Sequence, residues 1–266
     1  MRRGNLKVRL LIGAAIALFF VIKRCSQREV NPYTGRTQTI SISSDQEIAI
    51  GLQSAPQMAQ RHGGLYPSQD YQKFVDQVGY KLVNNSIAKE TPYKYEFHLL
   101  ADERTINAFA LPGGQIFITY ALFSQLKNED QLAGVLGHEI GHILGRHSAE
   151  RIAESEFWQG LSTAGSVGGN FGNIVNQYGQ GKLLTNGRDD ELESDELGVH
   201  FMIDAGYNPE EMIGVMQILK AAAGPNRAPE FQSTHPDPEN RIEKIEQAIV
   251  KYRQEKNAFI KAFKNY

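Results

Sequence analysis

Residues 128–147 read NEDQLAGVLGHEIGHILGRH, and their pattern decides the fold. His138, Glu139 and His142 stand in the order H-E-x-x-H. Positions four apart lie on one helix face, one turn above the other, so both imidazoles can address one metal ion. Glu139 sits about 100° round the helix, within reach of a water held there. Asn128 is a good N-cap, and Glu129 and Asp130 put negative charge where the helix dipole favours it. Leu132, Val135, Ile140 and Leu144 supply apolar surface, so the helix is predicted to be buried. Two histidines and a carboxylate on such a helix are costly unless paired, which favours a metal over satisfied core histidines. Gly137, Gly141 and Gly145 recur every fourth residue although Gly is a poor helix former. Close approach by a second helix, carrying the remaining ligand, is the expected reason.

The chain has 266 residues with 28 Lys and Arg against 30 Asp and Glu. That length holds one domain with a substantial core, or a domain plus an appendage. The balanced charge, with no basic patch interleaved with aromatics, excludes nucleic acid as a partner. One cysteine, Cys25, excludes an internal disulfide and a cysteine-rich zinc site.

Residues 1–30 differ from the rest. Arg2, Arg3, Lys7 and Arg9 precede an apolar run from Leu10 to Ile22, closed by Lys23 and Arg24. The run is short for a membrane span. No A-x-A site follows it, and Lys23-Arg24 before Cys25 is unlike a lipoprotein site. The order of preference is an uncleaved anchor, a cleaved signal, then lipidation. Charge flanking favours an N-in orientation, with the remainder extracytoplasmic. The expected division is an anchor or signal segment, 1–30, and one metalloprotease domain, 31–266.

The rest of the chain predicts a mostly helical α+β fold. Ser44-Asp45-Gln46-Glu47 is a capping box, opening a helix to about Gln60 with Ile48, Leu52 and Ala55 inward. A second helix is expected from Ser68 to Val83. Strands are expected at 93–101, 106–111 and 115–120, the last two joined at Pro112-Gly113-Gly114. His98 in the first strand reads as structural. Asn107, Ala108, Phe109 and Ala110 form a strand able to pair with an extended peptide. After the metal helix, a helix is expected over 148–158, with His147 turned off the metal-facing stripe. The Gly-rich stretch 160–187 reads as a mobile cover. Two further helices are expected at 208–219, and at 238–253 with Ile242, Ile245 and Ile249 inward, followed by a lysine-bearing tail.

Residues 188–205 predict another helix, with Asp189, Asp190, Glu191, Glu193, Asp195 and Glu196 near its start. Taken alone, these form a solvated acidic first turn. Yet Glu191, Asp195, Gly198 and Met202 share one stripe, which mixes carboxylates with Gly and Met and so is expected to be buried. Glu191 is the candidate third ligand, leaving a fourth position for water. Asp195, one turn on, is placed to accept the free N–H of a ligating histidine. Glu193 is the rival ligand, although it points about 160° from Asp195's stripe. His200 faces roughly the opposite side.

His138-Glu139-x-x-His142 followed by Glu191-Leu192-Glu193-Ser194-Asp195 resembles the H-E-x-x-H … E-x-x-A-D pattern of metallopeptidase family forty-eight, with Ser194 for the usual Ala. Asn107 to Gly114 resembles its N-A-F-A-x-P-G-G segment, and Thr234-His235-Pro236 with Arg241 resembles its T-H-P-x-x-x-x-R element. The resemblance covers about residues 30–250. One apolar run, not several, is similar to its single-anchor members. It implies a gluzincin-type zincin fold, with a small sheet beside the zinc helix and one Zn2+ on His138, His142 and Glu191. It implies Glu139 as general base. His235 and Arg241 would lie over the open zinc position and steady an oxyanion, or His235 would fill that position at rest. Taken alone, His235 before Pro236 reads as a surface turn. The implied activity is hydrolysis of unfolded or flexible polypeptides in protein quality control. A chaperone-like binding module on the same fold is the alternative, and the intact Glu139 counts against it.

Overall fold

The computed structural model describes residues 6–169, 171–175, 187–222, 231, 235 and 240–264. In chain order these form α1 (Leu6–Ser26), β1 (Arg28–Val30), β2 (Thr37–Thr39), α2 (Ser44–Arg61), α3 (Gln69–Asn84), β3 (Glu96–Leu100), β4 (Ala108–Ala110), β5 (Gln115–Thr119), α4 (Tyr120–Phe123), α5 (Glu129–Leu144), α6 (His147–Gly168), α7 (Arg188–Ala205), α8 (Glu211–Ala222) and α9 (Arg241–Lys264). They divide into two compact units, Met1–Ser43 with His147–Thr185, and Ser44–Arg146 with Asn186–Tyr266. This division places α1 in one unit with α6.

The larger unit is built on α5. Asn128 caps it by accepting from the Gln131 amide, and every residue from Gln131 to Leu144 is buried. Its glycines explain how α7 approaches. A Cβ on Gly141 would stand 2.8 Å from the Ser194 carbonyl oxygen, and one on Gly137 3.4 Å from the Gly198 Cα. Only small residues allow two helix backbones this close, and the contact sets the carboxylates of α7 against the histidines of α5. A three-stranded sheet of order β3-β5-β4 lies beside them. β5 runs parallel to β3 and antiparallel to β4, with Phe97 opposite Ile116 and Phe109 opposite Phe117. Phe97, Leu99, Ile116 and Ile118 are buried, and the Phe97 ring lies on Gly79 of α3, where a Cβ would clash. β4 is one of the two edge strands and packs on α5. His98 stacks on Phe117 and contacts Gln115, a structural role.

Several expectations shift. Ser44 is the first helical residue of α2, and Glu47 is buried against Tyr93 and Arg146. The inward face of α2 is Glu47 and Gly51, not Ile48 and Leu52; Leu52 is exposed. Gly51 meets the Pro112 carbonyl, and Gly113, at φ 79°, lies under Ile48, so the Pro-Gly-Gly turn docks where no side chain fits. α6 runs ten residues beyond the expected end at Trp158, so 160–168 is helical. Residues 170 and 176–186 of the Gly-rich stretch lie outside the described residues. α9 continues through the lysine-bearing tail; Ile245 and Ile249 are buried but Ile242 is turned outward.

In the smaller unit, β1 and β2 form an antiparallel pair. Arg36 of the adjoining turn bonds Glu150 of α6 at 2.8 Å. α1 packs along α6. No helix among the described residues is long and apolar enough to cross a membrane.

Candidate metal centre

α5 presents His138 and His142, α7 presents Glu191, and His235 joins them from the chain ahead of α9. One ligand atom from each of these four residues lies within 4.8 Å of the others, and all four are buried. His138 Nε2 and His142 Nε2 are 3.1 Å apart. Glu191 Oε2 is 3.4 Å from His138 Nε2, and Oε1 is 3.4 Å from His142 Nε2. His235 Nδ1 lies 3.3, 3.2 and 3.1 Å from His138 Nε2, His142 Nε2 and Glu191 Oε1. Ligands about 2.0–2.1 Å from a tetrahedral zinc stand about 3.3–3.4 Å apart. Nitrogen and carboxylate donors at this spacing fit zinc.

Neighbouring residues orient the cluster. His138 Nδ1 lies 2.8 Å from Asp195 Oδ1, which leaves Nε2 for the cluster. Asp195 is clasped by Arg241, with Nε donating to Oδ2 at 2.7 Å and Nη2 to Oδ1 at 2.9 Å. Burial pushes the Asp195 carboxyl up, but Arg241 and His138 outweigh it and hold it below its usual range. Burial likewise opposes charge on His138, yet Asp195 and Glu191 hold it up at about 9. Glu191 is raised by burial but driven far below the carboxylate range by hydrogen bonds with His138, His142 and His235. A group so arranged holds a compact cation readily.

Glu139 differs from its neighbours. Both of its carboxylate oxygens are buried, and neither has a hydrogen-bond partner among the described residues. His235 Nε2 stands 3.7 Å from Oε1. Burial raises the Glu139 pKa, against the pull of His235 and His138. A buried carboxylate with no hydrogen-bond partner among the described residues, beside a cluster that could hold a metal, is suited to taking a proton from water.

Arg241 reaches the cluster through Asp195, with Nη2 also 3.5 Å from Glu191 Oε2. Asn107 and Ala108 are buried and Phe109 and Ala110 half-buried. Asn107 is tied to Thr119 by its backbone, and Phe109 stacks on Phe117 at 4.9 Å. Glu193, His147 and His200 are not in the four-residue cluster. Thr234 and Pro236, flanking His235, lie outside the described residues. Sequence reasoning missed Phe231, whose ring stacks on His235 at 4.4 Å. The His235 amide donates to its carbonyl, and its own amide donates to Ile106, one residue before Asn107. No spacing signal marks it.

The profile of peptidase family M48 matches residues 69–249. The mitochondrial metalloendopeptidase OMA1 of Schizosaccharomyces pombe is 31% identical over 229 residues, which are 82% of this chain and 66% of that protein. Its namesake from Saccharomyces cerevisiae is 30% identical over 240 residues, 83% and 68% of the two chains. The beta-barrel assembly-enhancing protease of Yersinia pestis is 29% identical over 230 residues, 81% of this chain and 46% of that protein. The matched regions thus span about half to two thirds of these relatives.

Proposed function

The chain belongs to peptidase family M48, and from that premise we propose that it is a membrane-associated zinc endopeptidase. Its substrates are unfolded or misassembled polypeptides, and its role is protein quality control. The observation that carries the reading is Glu139, buried without a hydrogen-bond partner among the described residues beside a His-His-Glu cluster spaced for zinc. The relatives named above as a metalloendopeptidase and a beta-barrel assembly-enhancing protease support the reaction class and the quality-control setting. The flanked apolar run of α1 supports membrane attachment, and the charge pattern supports an extracytoplasmic catalytic unit.

His138, His142 and Glu191 would hold the ion. Bound there, zinc supplies Lewis acidity, lowering the pKa of water and polarising a carbonyl. Glu139 takes the attacking water's proton and returns it to the leaving amine. Asp195 fixes the His138 tautomer, and Arg241 keeps Asp195 charged. A substrate strand pairs with the edge strand β4, over Asn107 to Ala110.

One observation favours a resting state in which His235 completes the ligand set. Its Nδ1 is as close to the other three ligand residues as they are to one another. Displacement of His235 would then open the site.

The test uses the full chain in detergent, as wild type, Glu139→Gln and His235→Ala, with bound zinc and cleavage of an unfolded protein measured together. Zinc in wild type and Glu139→Gln, with cleavage lower by about 10²–10⁴-fold in the variant, is expected. Greater cleavage by His235→Ala than by wild type supports the resting state. No zinc in wild type sinks the site assignment. Zinc and client binding without cleavage, even in His235→Ala, sinks the protease reading in favour of a chaperone-like module.

A further inference from the structure

We propose that the site selects its substrate at one side chain: the residue that settles beside Phe109 of β4 is Phe, Tyr or Trp, and its ring extends a row of rings that already crosses the sheet. This rests on the peptidase reading above and names the feature of the substrate that is recognised.

The sheet has two edges, and one is taken. On the outer side of β3, the Leu99 carbonyl accepts from the Tyr66 amide at 2.8 Å, and the Ala101 amide donates to the Gly64 carbonyl at 2.9 Å. Gln72 of α3 takes the neighbouring groups. Its Nε2 donates to the Phe97 carbonyl at 2.8 Å, and its Oε1 accepts from the Leu99 amide at 2.9 Å. That leaves β4 as the edge for a further strand.

On β4, the Asn107 carbonyl accepts from the Thr119 amide at 3.0 Å, and the Leu111 amide donates to the Gln115 carbonyl at 2.8 Å. Successive residues of an antiparallel strand alternate between facing their partner and facing away. The backbone groups of Ile106, Ala108 and Ala110 therefore point to the outer edge. The Phe231 amide has taken the Ile106 carbonyl, at 3.3 Å, and Ala108 is buried in this arrangement. A substrate strand gains the outer groups of Ala108 and Ala110 once Phe231 and His235 have moved, the same displacement that opens the metal cluster.

Three rings stand in line towards that edge. His98 of β3 is opposite Phe117 of β5, which is opposite Phe109 of β4. The first two rings stack at 4.6 Å and 26°, the second two at 4.9 Å and 15°. Phe117 is buried, whereas Phe109 is only half-buried. The row thus ends open, on the strand where a substrate would be added. On an antiparallel partner, the residue beside Phe109 falls on the same face in a non-hydrogen-bonded pair, where side chains approach within about 5 Å. A flat ring there continues the stack, and stacked aromatic pairs gain more than their buried area alone.

His62 flanks this place. Its ring lies 5.4 Å from that of Phe109, tilted by 39°, and its side chain is 11% exposed. His62 Nδ1 lies 3.0 Å from Asp102 Oδ2. Asp102 Oδ1 accepts from the Arg104 and Thr105 amides, each at 2.9 Å, and the Asp102 carbonyl accepts from the Ala121 amide at 2.9 Å. The flanking ring is therefore fixed before a substrate arrives, and little of the binding energy goes into ordering it.

Phe231 places the row relative to the metal cluster. Its ring stacks on His235 at 4.4 Å and lies 6.2 Å from that of His138, while its amide marks Ile106. Phe109 is three residues further on, about 10 Å along a strand. The selected side chain therefore belongs about two to four residues from the bond that is cut.

The test uses the full chain in detergent with zinc. Sites cut by wild type in an unfolded protein are mapped by mass spectrometry. Phe, Tyr and Trp are expected to be enriched at one position, about three residues from the cut. A labelled peptide spanning one such site, with Phe or Ala at that position, is then titrated onto Glu139→Gln by fluorescence anisotropy. The Phe peptide is expected to bind about 3–10-fold tighter. Adding Phe109→Leu keeps an apolar side chain but ends the row at Phe117, so the two peptides should bind alike. Adding His62→Asn instead keeps a donor to Asp102 but loses the flanking ring. It should narrow the ratio too, and it decides the matter if the Phe109 variant does not fold. Cleavage without the enrichment overturns the proposal and leaves the peptidase reading standing, as does an unchanged ratio in the variants. Loss of both peptides from the Phe109→Leu variant does the same and assigns Phe109 to the scaffold. No cleavage by wild type overturns the peptidase reading and this subsite with it.

Discussion

His138 Nδ1 lies 2.8 Å from Asp195 Oδ1, and this single contact sets which nitrogen of His138 faces Glu191 and His142. Both residues are buried, and both Asp195 oxygens are already engaged by Arg241. Asp195→Asn keeps the shape but removes the charge that orients the imidazole and faces the guanidinium. Zinc affinity is expected to fall by about 10–100-fold, with cleavage recovering when zinc is added in excess. Competition against a chelating dye measures it, and an unchanged affinity would show that Asp195 does not support the ligand.

Gly141 and Ser194 mark the closest backbone approach of α5 and α7. A methyl on Gly141 meets Ser194 backbone atoms at 2.8 and 2.9 Å, which cannot rotate away. Ser194 lies between Glu191 and Asp195, so any separation of the helices moves both carboxylates. Gly141→Ala is therefore expected to cost about 1–3 kcal/mol and to lower zinc occupancy. Gly134→Ala is the control, because its methyl meets Met212 only at 3.4 Å. It should keep the zinc and gain helix propensity. Equal zinc content in the two variants would refute the argument.

These contacts also show why part of the molecule was legible beforehand. Spacings of three and four residues specify which side chains share a helix face, so His138 with His142, and Glu191 with Asp195, were readable without coordinates. The recurrent glycines of α5 signalled a close partner. Pairings between distant segments leave no such trace: β3 beside β5 in parallel, or Glu47 beneath Arg146. Gly160, Gly165 and Gly168 read as loop because Gly disfavours helix. Packing of the small residues against α1 overrides that preference. His235 depended on family pattern alone, since a histidine before proline carries no periodicity.

Glu47 is 2% exposed. It accepts from the Tyr93 hydroxyl at 2.8 Å and pairs with Arg146 Nε and Nη2, each at 3.2 Å. Arg146 takes a left-handed conformation, φ 57°, just past the end of α5. The pair thus secures the turn at which α5 stops. Removing one partner of a buried ion pair costs about 3–5 kcal/mol. Glu47→Gln is expected to lower stability by that order in chemical denaturation, while Glu139→Gln leaves the midpoint nearly unchanged. A Glu47→Gln midpoint equal to wild type would mean that Arg146 is held by other contacts.

The packing of α9 on α7 predicts a pH dependence away from the metal. The His200 ring stacks on Tyr252 with centroids 3.8 Å apart, and its Nε2 is buried without a hydrogen-bond partner among the described residues. Burial lowers its pKa, outweighing the opposite pull of Glu196 and Asp204; Lys251 adds to the lowering and Glu255 opposes it. A histidine held neutral in the fold takes up a proton more readily when unfolded, so stability rises with pH across its titration. The contribution is present above the unfolded value near 6.5 and is lost as the pH falls through it towards the lower folded value. His200→Phe keeps the stacked ring and removes the titration. In zinc-loaded protein, the fall in melting temperature between about pH 7 and about pH 5 is expected to be shallower for His200→Phe than for wild type. Parallel curves would assign the acid sensitivity to other groups and leave His200 with a packing role only.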